Sequence, residues 1–235
     1  MAEDDFDISG LAAYLHLLPA QISKLADRDK LPGRRVGGQW RFSRADIHHW
    51  LEERIGLSDE GELAEMESNL RRTNTNDTSE VSIVSLLPVE AIAIPLAAKT
   101  RGSVITEMCD LAATTGILWD PAKMAEAVTS REAMQPTALD CGVALLHPRR
   151  PQTSILGDSI VALGISGRGI PFGGSSSLTD VFFLLAATND HEHLQILARI
   201  SRMISDSDWL SELRASADAI EAHQLLKARE ADLSN

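Results

Sequence analysis

The stretch Cys141–Arg150, CGVALLHPRR, decides how the larger part of the chain is read. Gly142 is followed by an apolar run, Val143-Ala144-Leu145-Leu146, too short for a helix and rich in residues that suit a buried strand. The run stops on His147, and Pro148, Arg149 and Arg150 follow at once. An imidazole at the end of a strand is reachable from solvent in a way that a mid-strand residue is not. Near neutral pH it is also a nucleophile and a fair leaving group, the pair of properties needed to hold a transferable phosphoryl group. Such a group calls for cations nearby. Arg131 precedes the strand, Arg149 and Arg150 follow it, and His191 and His193 sit where Asn189-Asp190 opens a helix.

Outward from that strand, residues 83–230 mix strand and helix signals. Strands are expected at Ile92–Leu96, Thr137–Leu139, Val143–Leu146, Ser159–Ile165 and Val181–Ala187. Helices are expected at Ser103–Thr114, from Asp120-Pro121 to about Glu132, from Asn189 onward, and at Ser207–Arg214 and Asp218–Ala228. In the helix after Asn189, Leu194, Leu197, Ala198 and Ser201 fall on one face. The pattern is α/β, with a mixed sheet covered by helices. Gly167–Ser177, GRGIPFGGSSS, lacks the lysine and spacing of a phosphate-binding loop and reads as a flexible loop. Asp140 is a candidate to orient His147, and Cys109 is read as helix core.

The first 56 residues have a different character. Leu11, Ala12 and Leu15 share a face of a first helix with Ser9 as its expected cap, and Pro19 suits the first turn of a second helix reaching about Arg28. A connection of about three residues between them is helix-turn-helix spacing. Gly37-Gly38 divides Arg34–Phe42 into a hairpin whose strand hydrophobics are Val36, Trp40 and Phe42. Ser43-Arg44-Ala45-Asp46 then starts a helix burying Ile47, Trp50 and Leu51. His48 and His49 are adjacent and so do not share a helical face, which argues against a metal site. Residues 57–82 are polar, with a short amphipathic helix carrying Leu63, Met66 and Leu70 and a linker from Thr73 to Glu80.

Charge points to a partner for the first unit. The chain as a whole carries −12, which argues against a nucleic-acid-binding surface spread over all of it. Residues 28–44 hold Arg28, Lys30, Arg34, Arg35, Arg41 and Arg44 against Asp29 alone. A local basic cluster beside a helix-turn-helix outweighs the total. Arg28, Arg34, Arg35, Arg41 and Arg44 suit phosphates, and Gln21, Ser23 and Lys24 on the second helix suit base edges.

Residues 8–53 resemble the small winged helix-turn-helix of the excisionase and MerR-type family. The shared features are an Ala-Ala-x-Leu helix, a Leu-Pro, an Arg-x-Val-Gly-Gly-x-Trp-Arg hairpin and a final x-Asp-Ile-x-x-Trp-Leu helix. The resemblance implies DNA binding, with Trp40 and Trp50 in the core. Residues 83–228 resemble the fructose/mannitol-type enzyme IIA domain of the bacterial phosphotransferase system and its nitrogen-regulatory paralogues. SREAMQPTALDCGVALLHPR and DVFFLLAATNDHEHLQILARIS carry that likeness. It implies His147 as phospho-acceptor, His193 as the second active-site histidine, Arg131 as the phosphoryl-binding arginine, and the phosphocarrier HPr or a paralogue as donor. His191 does not match and is read as a surface residue. The chain departs from the family pattern on both sides of His147, with Leu146 in place of proline and Pro148 in place of a small residue. Pro148 has no N–H to offer a phosphoryl oxygen.

The expected protein is therefore a bacterial DNA-binding regulator with a histidine-phosphorylated domain and no cofactor. Its alternatives are a binding-only IIA sensor and a phosphocarrier whose first unit docks protein. Two cysteines without metal spacing, an acidic start and no long apolar run suggest a cytoplasmic chain without a membrane span. A palindromic operator would imply a homodimer, with the Leu63, Met66, Leu70 helix as its contact.

Overall fold

The computed structural model describes residues 5–15, 17–57, 60–72, 81–173 and 178–234; the side chains at 56, 57, 60, 65, 66, 69, 71 and 72 lie outside that set. The linker expected at Thr73–Glu80, the Met66 side chain and residues 174–177 lie outside the described residues as well. The chain divides into two compact units, Met1–Glu80 and Val81–Asn235.

In the first unit, β1 (Asp5–Phe6) leads into α1 (Ile8–Leu15). The helix begins a residue earlier than expected, and Asp7 caps it in place of Ser9. Its Oδ1 accepts the Gly10 N–H at 2.7 Å. In α2 (Pro19–Ala26), proline fills the first turn and Gln21 reaches back so that its Oε1 accepts the Leu18 N–H at 2.8 Å. β2 (Arg34–Val36) and β3 (Gln39–Ser43) form the hairpin, with Gly37 and Gly38 at φ 59° and 80° in its two-residue turn. β1 pairs with the other edge of β3, which the sequence pattern did not indicate, giving the order β1-β3-β2. Phe42 is fully buried beneath this sheet and contributes roughly 1.5–3 kcal/mol by leaving water. Val36, expected inside, is 53% exposed. Trp40 and Trp50, expected as core, are half-buried, for each carries an arginine on its face: Arg35 lies 5.0 Å from Trp40 and Arg54 5.4 Å from Trp50. α3 (Arg44–Leu57) buries Ile47, Leu51 and Ile55, and α4 (Glu60–Arg72) buries Leu63 and Leu70.

The second unit is built on a four-stranded mixed sheet, β4 (Ile92–Ala93), β5 (Val143–Leu146), β6 (Ile160–Pro171) and β7 (Leu178–Ala186), in the order β4-β6-β7-β5. β5 runs parallel to β7, and β6 runs antiparallel to it. The helices α5 (Ile83–Leu86), α6 (Arg101–Ala113), α7 (Pro121–Met134), α8 (Asp190–Ile204), α9 (Ser207–Arg214) and α10 (Ala219–Ser234) complete the unit. Expected caps are in place: Asp120 accepts from Lys123 N, and Asn189 from Glu192 N.

Three expectations are corrected here. Ile92–Leu96 is a strand only at its first two residues. Gly167–Pro171 is strand, because β7 supplies partners for it (Ile170 to Thr179, Pro171 to Leu178) that local composition does not reveal. Thr137–Leu139 is no strand; it makes a single bridge, Ala138 to Ala144, against the outer edge of β5.

Candidate functional site

Parallel pairing of β5 and β7 sends both strands out at the same end of the sheet, with Leu146 level with Leu184. One residue past the end of β5 stands His147, and β7 is followed by α8, whose first turn carries His193. The crevice outside the carboxyl ends of parallel strands is where such sheets present reactive groups. Sheet topology therefore joins two histidines far apart in the chain, and their ring centroids lie 4.9 Å apart at an interplanar angle of 54°. His193 is held in place by the cap of α8: its N–H is donated to Asn189 O at 3.1 Å, while Thr188 Oγ1 and Asn189 Nδ2 both reach the Glu192 carboxylate.

The His147 ring is oriented by its own strand. Its Nδ1 lies 2.8 Å from Leu145 O. A carbonyl oxygen can only accept, so Nδ1 carries a proton, and in the neutral form of the ring the lone pair then sits on Nε2. Asp140, the candidate orienting group, is exposed, and the Nδ1 contact is made by a main-chain carbonyl. The imidazole is also less accessible than its strand-end position suggests, at 3% exposure, and His193 is at 5%.

Arg131 occupies the last turn of α7 and is buried, with Nη1 donating to Gln135 O at 2.8 Å. Arg149 and Arg150 are exposed on the segment after His147. Beside Arg131 lies Glu132, part of the family-like Arg-Glu…Thr stretch, to which the sequence reading gave no role. Glu132 is wholly buried, and its carboxylate accepts from Thr137 N at 3.2 Å, from Thr137 Oγ1, and from Arg101 Nη2 at 3.3 Å. An acid wedged between an arginine and a threonine of a loop is visible only once the chain is folded. His191 is half-buried, and Cys109 is core, its thiol pushed up to about 12 by burial and by the neighbouring Asp110 carboxylate.

In the first unit the expected DNA-facing residues separate into two groups. Arg34 donates to Asp5 at 2.7 Å, Arg35 pairs with Asp27 at 3.1 Å, and Arg44 lies 4.5 Å over the Phe6 ring. Lys24 and Arg28 project from the second helix and its end into solvent. Ser23, Arg35 and Arg41 line a cleft of about 460 Å³ between the start of α1, α2 and the hairpin, which Asp7 and Asp27 also line. Gln21 spends its carbonyl oxygen on the Leu18 cap and keeps its amide exposed.

The fold and the paired histidines define a chain with a helix-turn-helix unit followed by an α/β phosphotransferase-type unit. Residues 6–55 match a helix-turn-helix domain, and residues 85–229 match the family described as phosphoenolpyruvate-dependent sugar phosphotransferase system, EIIA 2. With well over half its length in that match, the chain belongs to the EIIA 2 family. It is 31% identical over 148 residues to the nitrogen regulatory protein of Bradyrhizobium diazoefficiens, covering 61% of this chain and 94% of that one. Over 140 residues it is 26% identical to the fructose-specific EIIA component of Haloferax volcanii, covering 58% and 88%. The fold is also that of enzyme IIA mannitol in its Escherichia coli complex with phosphorylated enzyme IIB (TM-score 0.55, 20% identity, 61% and 99% covered). The IIA-Ntr structure from Neisseria meningitidis is equally close (TM-score 0.55, 20% identity, 61% and 98% covered). Among the described residues no helix is long and apolar enough to cross a membrane.

Proposed function

We propose that this chain is a cytoplasmic bacterial DNA-binding regulator whose second unit accepts a phosphoryl group on His147. The observation that carries the reading is the His147–His193 pair, 4.9 Å apart, with His147 Nδ1 anchored on Leu145 O. Nε2 attacks the phosphorus of a phosphohistidine on the phosphocarrier HPr or a paralogue. The donor's N–P bond breaks as the new one forms, and the donor imidazole leaves with the electron pair. Arg131 supplies positive charge for the transferring group and His193 a ring nitrogen beside it, while Arg149 and Arg150 favour approach of the anion. The phosphorylated ring adds about two negative charges, enough to change which surfaces the unit can meet.

For the first unit, exposed Lys24 and Arg28, together with Arg41 in a cleft of about 460 Å³ that Asp7 and Asp27 also line, support a duplex backbone against the hairpin, with Ser23 and the Gln21 amide toward base edges. Arg34, Arg35 and Arg44 contact Asp5, Asp27 and Phe6 yet stay exposed, so they both shape the hairpin and remain within reach of phosphates.

A second reading, a binding-only sensor that recognises partner proteins, is favoured by the 3% exposure of His147 and by the missing amide at Pro148. Incubation with phosphorylated HPr separates the two. The regulator reading expects label on wild type and none on His147→Ala, and an unlabelled wild type leaves the sensor.

A further inference from the structure

β5 is the outermost strand of its sheet, so one of its edges has no strand beside it. Leu145 turns both its main-chain polar groups to that outer edge, because its inner neighbours serve β7. Its N–H is donated to Thr137 O at 3.4 Å, and its carbonyl receives the His147 Nδ1–H at 2.8 Å. The residue that selects the His147 tautomer is therefore held in place by the 137–139 segment. Ala138 bridges Ala144 and the Leu139 N–H reaches Val143 O at 2.8 Å along the same edge.

A segment with so few main-chain bonds needs another anchor, and Glu132 supplies it. The carboxylate is fully buried. It receives the Thr137 N–H and the Thr137 hydroxyl, and Arg101 matches its charge while donating also to Glu132 O at 2.5 Å. A buried carboxylate that lost these donors would be left uncompensated, so the arrangement holds or fails as a unit.

We propose that Glu132 is a positioning residue for His147, acting through Thr137 and the Leu145 carbonyl to keep the Nδ1–H tautomer and so present Nε2. This rests on the reading that His147 Nε2 takes the phosphoryl group. Two measurements are made on the full chain: the rate of labelling by phosphorylated HPr, and the ¹⁵N shifts of His147 in the unphosphorylated protein, which report the tautomer whether or not the ring is ever labelled. Glu132→Gln is expected to move Nδ1 from the protonated toward an averaged shift and to slow labelling about tenfold, the low end of what outer partners of a working histidine contribute. Thr137→Val, which removes only the hydroxyl, is expected to do the same to a smaller degree, and Thr137→Ser to restore both. A native-like Glu132→Gln protein with an unchanged tautomer overturns the positioning role. An unlabelled wild type that shows the tautomer change in Glu132→Gln overturns the phospho-acceptor reading and keeps the positioning one.

Discussion

The rings of His147 and His193 lie 4.9 Å apart, tilted by 54°, although one follows a strand and the other begins a helix. The pairing is a product of parallel β5 and β7 ending side by side, which makes the two rings unequal partners. His147 has its Nδ1 held by the Leu145 carbonyl of its own strand, and on the proposed reading it is the nucleophile while His193 assists the transferred group. His147→Ala should therefore abolish labelling by phosphorylated HPr. His193→Ala should leave a measurable rate, slowed roughly 10²–10⁴-fold as for loss of one assisting group. Equal and complete loss in both would assign the nucleophile wrongly or make the two rings inseparable.

The turn that launches β5 is built around Gly142 at φ 82°. A Cβ there would lie 2.8 Å from Arg214 Nη2 and 3.3 Å from Leu178 O. Arg214 is itself held by both oxygens of Asp180 at 3.0 Å. Gly142→Ala combines a left-handed backbone with a crowded neighbour and should cost roughly 1–3 kcal/mol in urea unfolding. An alanine variant as stable as wild type would mean that the turn relaxes without loss.

How much of this was legible beforehand depends on the range of the interaction involved. Asp120-Pro121, Asn189 and Gly37-Gly38 each act within four residues, and each marks an element boundary found in the structure. The order β4-β6-β7-β5 was not open to such reading. Neither was the strand character of Gly167–Pro171, whose partners lie across the hairpin in β7. Likewise His147, His193 and Arg131 were nameable from residue type and resemblance. Leu145 O was not, since a main-chain acceptor has no sequence signature; Glu132 lay in the family-like Arg-Glu…Thr stretch, but its role was not nameable, because a buried acid looks like any helical glutamate until its neighbours are known.

Asp206 caps α9, with Oδ1 accepting from Trp209 N at 3.0 Å and Asp208 N at 3.1 Å and with Arg229 3.1 Å from Oδ2. The Trp209 N–H bond is the main cause that holds its carboxyl below the usual carboxylate range; desolvation opposes it, and the Arg229 charge and the Asp208 N–H add smaller lowering effects. The folded state thus binds this proton less readily than the unfolded chain does. The stabilisation is complete above the ordinary aspartate range and is lost as pH falls through the lowered folded value. Asp206→Asn should lower the Tm at pH 7, and the gap from wild type should close on acidification. A gap that stays constant with pH would rule out the carboxylate's charge as its source.

The two cysteines differ in reach. Cys141 is exposed, and Cys109 is buried in α6 with its thiol raised to about 12. Thiolate is the reactive form, so a folded sample at pH 8 should show one fast thiol toward a disulfide reagent and a second only after denaturation. Cys141→Ser should remove the fast phase entirely. Two fast thiols in the native protein would place Cys109 within reach of solvent.

For the first unit, Lys24 and Arg41 are expected to give a different signature from Arg44, which covers aromatic rings. Lys24 is exposed and Arg41 lines the cleft beside the hairpin, so Lys24→Ala and Arg41→Ala should each reduce the steepness of log K against log salt for duplex DNA by about one and leave the Tm nearly unchanged. Arg44 covers the Phe6 ring at 4.5 Å and lies 5.8 Å from that of Tyr14, two rings stacked on one another at 4.9 Å. Arg44→Ala should instead cost about 0.5–1 kcal/mol of stability, the size of an exposed cation–aromatic contact, seen as a lower Tm, with a smaller change in salt dependence. Identical salt slopes in wild type, Lys24→Ala and Arg41→Ala would remove the α2 and hairpin surface from the DNA contact. Loss of slope confined to Arg44→Ala would reverse the division of roles argued for the basic cluster.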